Sequence, residues 1–252
     1  MTQAAASDAN ANDDIHLDGV ERVLVVVAHP DDCDFGAAGT IARWVQAGAV
    51  VSYCLCTDGD AGGFDATVSR PEMAKTRRRE QAAAAAAVGV TDLTFLGYPD
   101  GRLTASLELR RDISRVIRQK RPHRVVCQSH EVNFERIHSS HPDHRAAGEA
   151  TLAAVYPDAR NQFAHPELLR DEGLGEWEVA STWIMAARQS TIAVDITESF
   201  AAKVAALRCH ESQIVKIEDL EAMLRQWAGG TATRMGLAEG RLAEAFLAVD
   251  TR

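Results

Sequence analysis

The sequence lacks an apolar segment of the length that a membrane-spanning helix requires. Its most hydrophobic run, VLVVVA at residues 23–28, is far shorter than the roughly 20 residues that cross a bilayer. The N-terminal segment MTQAAASDANANDD contains neither the basic start nor the apolar stretch of a signal peptide. We therefore expect a cytoplasmic protein that has no membrane partner.

An excess of positive charge is also lacking. The 252 residues include 27 Lys and Arg against 36 Asp and Glu, which gives a formal net charge of −9. Because nucleic-acid binding depends on clustered cations that contact phosphates, we expect no nucleic-acid partner. Residues 1–20 contain Asp but neither Lys nor Arg. This polar stretch predicts a disordered acidic tail before a single domain over residues 21–252.

Cysteine is scarce, with five residues and no CxxC pair. An odd number at such spacing argues against a disulfide framework. Cys54, Cys56 and Cys127 lie within apolar runs, so we expect them to be small buried core residues.

The chain does contain a regular alternation of strand and helix patterns. Strands linked through helices of this length form right-handed βαβ units and a mostly parallel sheet. The sequence therefore predicts an α/β fold, a single Rossmann-like domain whose mostly parallel sheet is flanked by helices, with ligands bound at the carboxyl ends of the strands. The predicted strands are 22–28, 50–57, 91–97, 123–129, 181–186 and 191–196; the predicted helices are 36–48, 71–89, 107–120, 141–156, 198–209 and 218–227.

The motif AHPDD at residues 28–32 follows the first predicted strand directly. A dinucleotide-binding fold would have GxGxxG here, and its absence argues against a dehydrogenase. An imidazole and two carboxylates so close together suit a divalent cation, and His29 and Asp32 could both reach one ion. The alternative is structural: one of Asp31, Asp32 or Asp34 caps the following helix, and His29 is an ordinary strand-end residue.

A second motif, HPDH at residues 141–144, follows the fourth predicted strand and its loop. Pro142 suits the first position of a helix, which places His141 and His144 on one face of the first turn. The alternative is a solvated, histidine-rich loop.

Taken together, the two motifs predict a catalytic metal site. Both belong at the same edge of a parallel sheet. Two imidazoles and one carboxylate form a three-ligand set, which leaves a coordination position open for water, and zinc makes such water available as hydroxide near pH 7. The remaining Asp could accept a proton, and the remaining His could stabilise an oxyanion or protonate a leaving amine.

The AHPDD motif, TDGDAGG at residues 57–63 and the distant HPDH resemble the PIG-L / LmbE-like zinc-dependent deacetylases. The similarity extends from about residue 22 to residue 213. It implies a hydrolase that removes the acetyl group from an N-acetylated amino sugar or its conjugate. By this resemblance His29, Asp32 and His144 match the zinc ligands, Asp31 the general base, and His141 the residue that stabilises the transition state. The choice of Asp32 over Asp31 as ligand depends on the resemblance.

The same resemblance suggests further residues and partners. Arg77 and Asp100 match positions that contact substrate, although three adjacent arginines leave the register open, and both could instead be surface or turn residues. Cys33 stands where many members have Glu, and we expect a buried structural thiol there. We expect His210, a lone His after a helix, to be structural, with pocket lining as the alternative. Family members are often oligomeric, and residues 157–180 could form such an interface.

Two other functions remain open from the sequence. One is an amidase that cleaves a mycothiol-type thiol conjugate, which acetate release would distinguish from a deacetylase. The other is a non-catalytic sugar- or metal-binding member of the fold. Zn²⁺ is the expected cofactor, and Fe²⁺ or another divalent metal would also suit a site with two His and one Asp.

Overall fold

A computed structural model describes residues 15–252, apart from the side chain of His138. Within that range the strands are β1 Arg22–Val27, β2 Val50–Thr57, β3 Asp92–Tyr98, β4 Arg124–Gln128, β5 Ser181–Met185, β6 Ile192–Asp195 and β7 Ala243–Asp250. The helices in the same range are α1 Asp32–Gln46, α2 Arg70–Ala87, α3 Leu107–Lys120, α4 Pro142–Ala153, α5 Pro166–Arg170, α6 Phe200–Arg208, α7 Glu211–Ile214 and α8 Leu220–Arg234.

The strands form one sheet in the order β3-β2-β1-β4-β5-β7-β6. Strands β1 to β5 pair in parallel, and β7 pairs antiparallel with both β5 and β6. The order 3-2-1-4-5 is that of the Rossmann fold, which confirms the predicted α/β class. Strand β7 was not predicted, because its sequence AEAFLAVD contains three Ala, one Glu and one Leu, which favour helices.

Strand β1 is buried on both faces, as its continuous apolar sequence predicts. Successive side chains of a strand point to opposite faces. Val23 and Val25 therefore pack in the core on one side of the sheet, and Leu24 and Val26 pack in the core on the other. The carboxyl end of β1, where the AHPDD motif begins, is consequently held by packing on both faces of the sheet.

Two helix boundaries bear on the site. Helix α1 begins at Asp32 rather than at residue 36, so the last residue of AHPDD lies in its first turn. Helix α4 begins at Pro142, which places Pro in the first turn as predicted. It ends at Ala153 and is followed by the segment Ala154–Asp158, which is kinked at Tyr156, where the backbone is not helical.

The predicted tail over residues 1–20 lies largely outside the described residues. Residues 15–20 are described, and they differ from the expectation of disorder. Ile15 and Leu17 are buried in the core, and the indole Nε1 of Trp44 donates a hydrogen bond of 2.8 Å to the carbonyl of Ile15. Two apolar side chains thus attach the end of the acidic segment to the domain. Among the described helices, none has the length and apolar character needed to cross a membrane.

Candidate metal centre

The AHPDD motif is anchored on both sides by neighbouring strands. The backbone N–H of Ala28 donates to the side-chain oxygen of Gln128, at the end of β4, over 2.9 Å. The carbonyl of Ala28 accepts from the backbone N–H and the hydroxyl of Thr57, at the end of β2, over 2.8 and 2.9 Å. The next residue, His29, therefore begins from a fixed backbone position at the carboxyl edge of the sheet.

The three predicted ligands, His29, Asp32 and His144, lie together. The Nδ1 of His29 is 3.3 Å from Oδ2 of Asp32, and the Nε2 of His144 is 3.0 Å from Oδ1 of the same carboxylate. The two rings are 5.2 Å apart between centroids. One carboxylate thus lies between two imidazoles, and these nitrogen and oxygen donors are types that Zn²⁺ binds.

The second ring nitrogen of His29 faces two further carboxylates. Its Nε2 is 3.1 Å from Asp100 Oδ1 and 3.2 Å from Asp143 Oδ2. Burial opposes a charge on His29, but hydrogen bonds to Asp100, Asp143 and Asp32 outweigh it and raise its pKa to about 12. The pocket therefore favours positive charge at this point. A metal-ligating His commonly donates its other N–H to a carboxylate in this way, so these residues fit a bound cation.

Donor atoms converge in more than one combination. One nitrogen from each of His29, His141 and His144 lies within 4.8 Å of the others, and so does one donor atom from each of His29, Asp100 and Asp143. In the first group, Nδ1 of His141 already accepts the backbone N–H of Asp143 over 3.2 Å. Its ring centroid lies 5.1 Å from that of His29.

His141 occupies the N-cap position of α4. Because Nδ1 accepts a hydrogen bond, the neutral ring carries its proton on Nε2. Partial burial lowers the pKa of His141, and the neighbouring His29 and His144 lower it further. The exposed ring thus presents an Nε2–H donor beside the three predicted ligands.

Asp143 also lies at the site, although it was not predicted from the sequence. It is 1% exposed, and its carboxylate accepts the backbone N–H of Gly101 over 2.7 Å and that of Leu103 over 3.2 Å. Burial opposes its charge, but the hydrogen bonds from His29 and these amides lower its pKa. Its place between the two histidines of HPDH was the available signal.

Asp100 was predicted to contact a sugar, and the structure places it beside His29. Its side chain is buried, with one oxygen on His29 and the other accepting the backbone N–H of Ala61 over 3.0 Å. Both oxygens therefore have protein partners, and the contact with a substrate stays a prediction.

Asp31 occupies the N-cap position of α1, but its side chain makes no capping hydrogen bond. Asp31 is thus the N-cap residue by position, as the structural alternative predicts, but its carboxylate does not cap the helix. Its φ of 87° is unfavourable for a residue with a side chain and costs about 1–3 kcal/mol, a type of strain that clusters at active sites. Burial raises the pKa of Asp31 to about 6, although the charge of Arg77 opposes this shift.

Arg77 lies behind Asp31 and is 4% exposed. Its Nη2 is 3.0 Å from Asp31 Oδ2 and also donates to the carbonyl of Pro30. The TDGDAGG loop packs directly on the guanidinium: a Cβ at Gly59 would lie 2.9 Å from Cζ, and one at Gly62 would clash with Nη1. Arg77 therefore contacts Asp31 and the glycine loop.

Cys33 and His210 lie behind the site and are fully buried. Burial raises the pKa of the Cys33 thiol well above its usual range, so Cys33 is a neutral thiol that contacts Asp34. The Nε2 of His210 is 2.8 Å from Asp34 Oδ2. Both contacts are internal to the protein.

The chain matches known proteins over most of its length. A family model described as PIG-L, GlcNAc-PI de-N-acetylase, matches residues 24–155. Diacetylchitobiose deacetylase of Thermococcus kodakarensis is 34% identical over 194 residues, which cover 77% of this chain and 70% of that protein. The 1D-myo-inositol 2-acetamido-2-deoxy-α-D-glucopyranoside deacetylase of Kineococcus radiotolerans is 29% identical over 82% of this chain and 72% of that protein.

Among solved structures, the N,N'-diacetylchitobiose deacetylase of Pyrococcus horikoshii, crystallised with an inhibitor, superposes with a TM-score of 0.85. It is 27% identical, and the match covers 99% of this chain and 96% of that one. The similarity therefore extends through β7 and α8, beyond the residues that the family model matches.

Proposed function

The chain belongs to the PIG-L family, and on that premise we propose that it is a metal-dependent deacetylase that hydrolyses the acetamide of an N-acetylated amino sugar or its conjugate. The observation that carries this proposal is the carboxylate of Asp31. It makes no capping bond, and it lies next in sequence to Asp32, the carboxylate between His29 and His144. A site that only binds a cation has no use for such a base.

His29, Asp32 and His144 would hold the metal ion, which we propose to be Zn²⁺. The ion supplies polarisation of the acetyl carbonyl and a water molecule that ionises near neutral pH. Asp143 and Asp100 would orient His29 through its Nε2.

Asp31 would accept the proton of the attacking water, since its carboxylate is the nearby acidic group without a role in orienting His29. It would then deliver that proton to the leaving amine. The Nε2–H of His141 would donate to the oxyanion that develops on the acetyl group. The products would be acetate and a free amine.

Acetate release under metal control tests the proposal. The protein is stripped with a chelator, reconstituted with Zn²⁺ or Fe²⁺, and assayed with N-acetylglucosamine, N,N'-diacetylchitobiose, glycosidic conjugates of N-acetylglucosamine and a mycothiol-type thiol conjugate. We expect metal-dependent release of acetate and amine in equal amounts from at least one of them. Amine release without acetate from a thiol conjugate would instead support the amidase. Metal binding with no hydrolysis of any substrate would support a binding protein.

A further inference from the structure

A fully buried glutamine contacts the backbone of Asp31. Gln81 lies on α2 and has no exposed surface. Its Oε1 accepts the backbone N–H of Asp31 over 2.8 Å. This N–H belongs to the residue whose φ is 87°. The hydrogen bond therefore holds the backbone in a conformation that is unfavourable for a residue with a side chain.

The orientation of the Gln81 amide is fixed by its second partner. Its Nε2 donates to Asp34 Oδ2 over 2.8 Å. A flipped amide would turn its NH₂ group toward an N–H donor and its oxygen toward a carboxylate, and neither contact is a hydrogen bond. The amide therefore has one orientation that satisfies both neighbours.

Asp34 is in turn held by His210. Its Oδ2 is 2.8 Å from Nε2 of His210, and both residues are fully buried. Within the described residues, Oδ1 of Asp34 has no hydrogen-bond partner. The carboxylate of Asp34 therefore depends on the contacts at Oδ2. A chain of buried hydrogen bonds thus connects the residue before α7 to the backbone of Asp31.

We propose that Gln81 is a positioning residue for the general base, and that Asp34 and His210 hold Gln81 in place. Arg77 contacts the carboxylate of Asp31, and Gln81 contacts its backbone. If the backbone of Asp31 relaxed to a negative φ, its Cα–Cβ bond would change direction, and the contact of its carboxylate with Arg77 would change with it. The inference rests on the proposed function, because Asp31 needs this geometry only if it acts as the base.

A double-mutant cycle tests the proposal in the full-length zinc-loaded protein. We expect Gln81→Leu to lower kcat for acetate release about 10–100-fold, with little change in KM or zinc content. Because a positioning residue acts through Asp31, Gln81→Leu should cause no further loss of kcat in an Asp31→Ala background. Losses that multiply in the double variant would overturn the proposal.

Ser212→Ala is the matched control. It removes the hydrogen bond of 2.7 Å from the Ser212 hydroxyl to Glu80, at the same contact between α2 and α7, without touching Asp31. We expect its kcat to stay within about twofold of wild type. If Ser212→Ala lost as much kcat as Gln81→Leu, the effect would belong to the helix contact and the proposal would fail.

Gln81→Glu covers the case in which the Leu variant does not fold. A protonated Glu has the same shape, accepts from the Asp31 N–H through its carbonyl oxygen and can donate to Asp34. We expect its kcat to follow the protection of the Asp31 N–H from exchange: within about tenfold of wild type if the protection is kept, and about 10–100-fold lower if it is lost. A folded Gln81→Glu protein with wild-type kcat and an unprotected Asp31 amide, or with a protected amide and a kcat lowered about 100-fold, would overturn the proposal.

Amide hydrogen exchange at Asp31, followed by NMR, needs no activity. We expect the Asp31 N–H to be protected in wild type and in Ser212→Ala, and to exchange at least about tenfold faster in Gln81→Leu, whose side chain has no acceptor. If wild type hydrolyses no substrate, the proposed function fails, and exchange still decides the structural part of this inference. Equal protection in wild type and Gln81→Leu would overturn it.

Discussion

The guanidinium of Arg77 lies 3.0 Å from the carboxylate of Asp31, and both side chains are largely shielded from solvent. Arg77 itself is held by the glycines of the loop after β2. An arginine placed in this way stabilises the charge and the direction of the carboxylate. It has little surface to offer a substrate.

This relationship predicts how an Arg77 variant fails. Arg77→Met should lower kcat about 100-fold and leave KM within about threefold, since it removes a charge-assisted contact to the base. Steady-state kinetics on the preferred substrate measure both constants. Arg78→Met is the control, because that neighbouring arginine pairs with Asp58 at the surface. A raised KM with normal kcat for Arg77→Met would instead support the substrate contact predicted from the sequence.

Asp100 should affect metal binding more than substrate binding. Asp100→Asn weakens the hydrogen bond to Nε2 of His29, so we expect metal affinity to fall about 10–100-fold. Competition with a fluorescent chelator measures that affinity. Asp58→Asn is the control at a surface ion pair. Unchanged metal affinity together with a higher KM would contradict the proposed orientation of His29 by Asp100.

Gly62 should tolerate no side chain, for a steric reason alone. A Cβ at this position would clash with Nη1 of Arg77 and lie 2.9 Å from Oε1 of Gln213. We expect Gly62→Ala to lower both kcat and the free energy of unfolding, the latter by about 1–3 kcal/mol. Gly175→Ala has open space around it and should change neither. Urea unfolding with parallel assays measures both, and a Gly62→Ala protein with wild-type values would show that the loop does not hold Arg77.

Metal binding should stabilise the fold through His144. Zn²⁺ at 100 times its dissociation constant adds about 2.7 kcal/mol to a protein that binds it only when folded, so Tm should rise on reconstitution. The rise should be largely lost in His144→Ala and kept in His130→Ala, whose exposed ring lies outside the proposed ligand set. Equal rises of Tm in the two variants would show that the ion binds without His144.

The convergence of His29, Asp32 and His144 was predictable, because parallel strands place their carboxyl ends at one edge of the sheet. The contacts of Asp143 and Asp100 with His29 were not, since the directions of side chains in a first helical turn and in a loop depend on packing. Strand β7 was missed because Ala and Glu favour helices. Its place between β5 and β6 comes from tertiary pairing.

The most direct test of the account compares Asp31→Ala with Asp32→Ala for bound zinc and acetate release. Asp31→Ala should keep its zinc and lose at least about 100-fold in kcat, because general-base catalysis contributes about 10²–10⁴-fold. Asp32→Ala should lose both zinc and turnover. An Asp31→Ala protein that releases acetate at the wild-type rate would contradict the account.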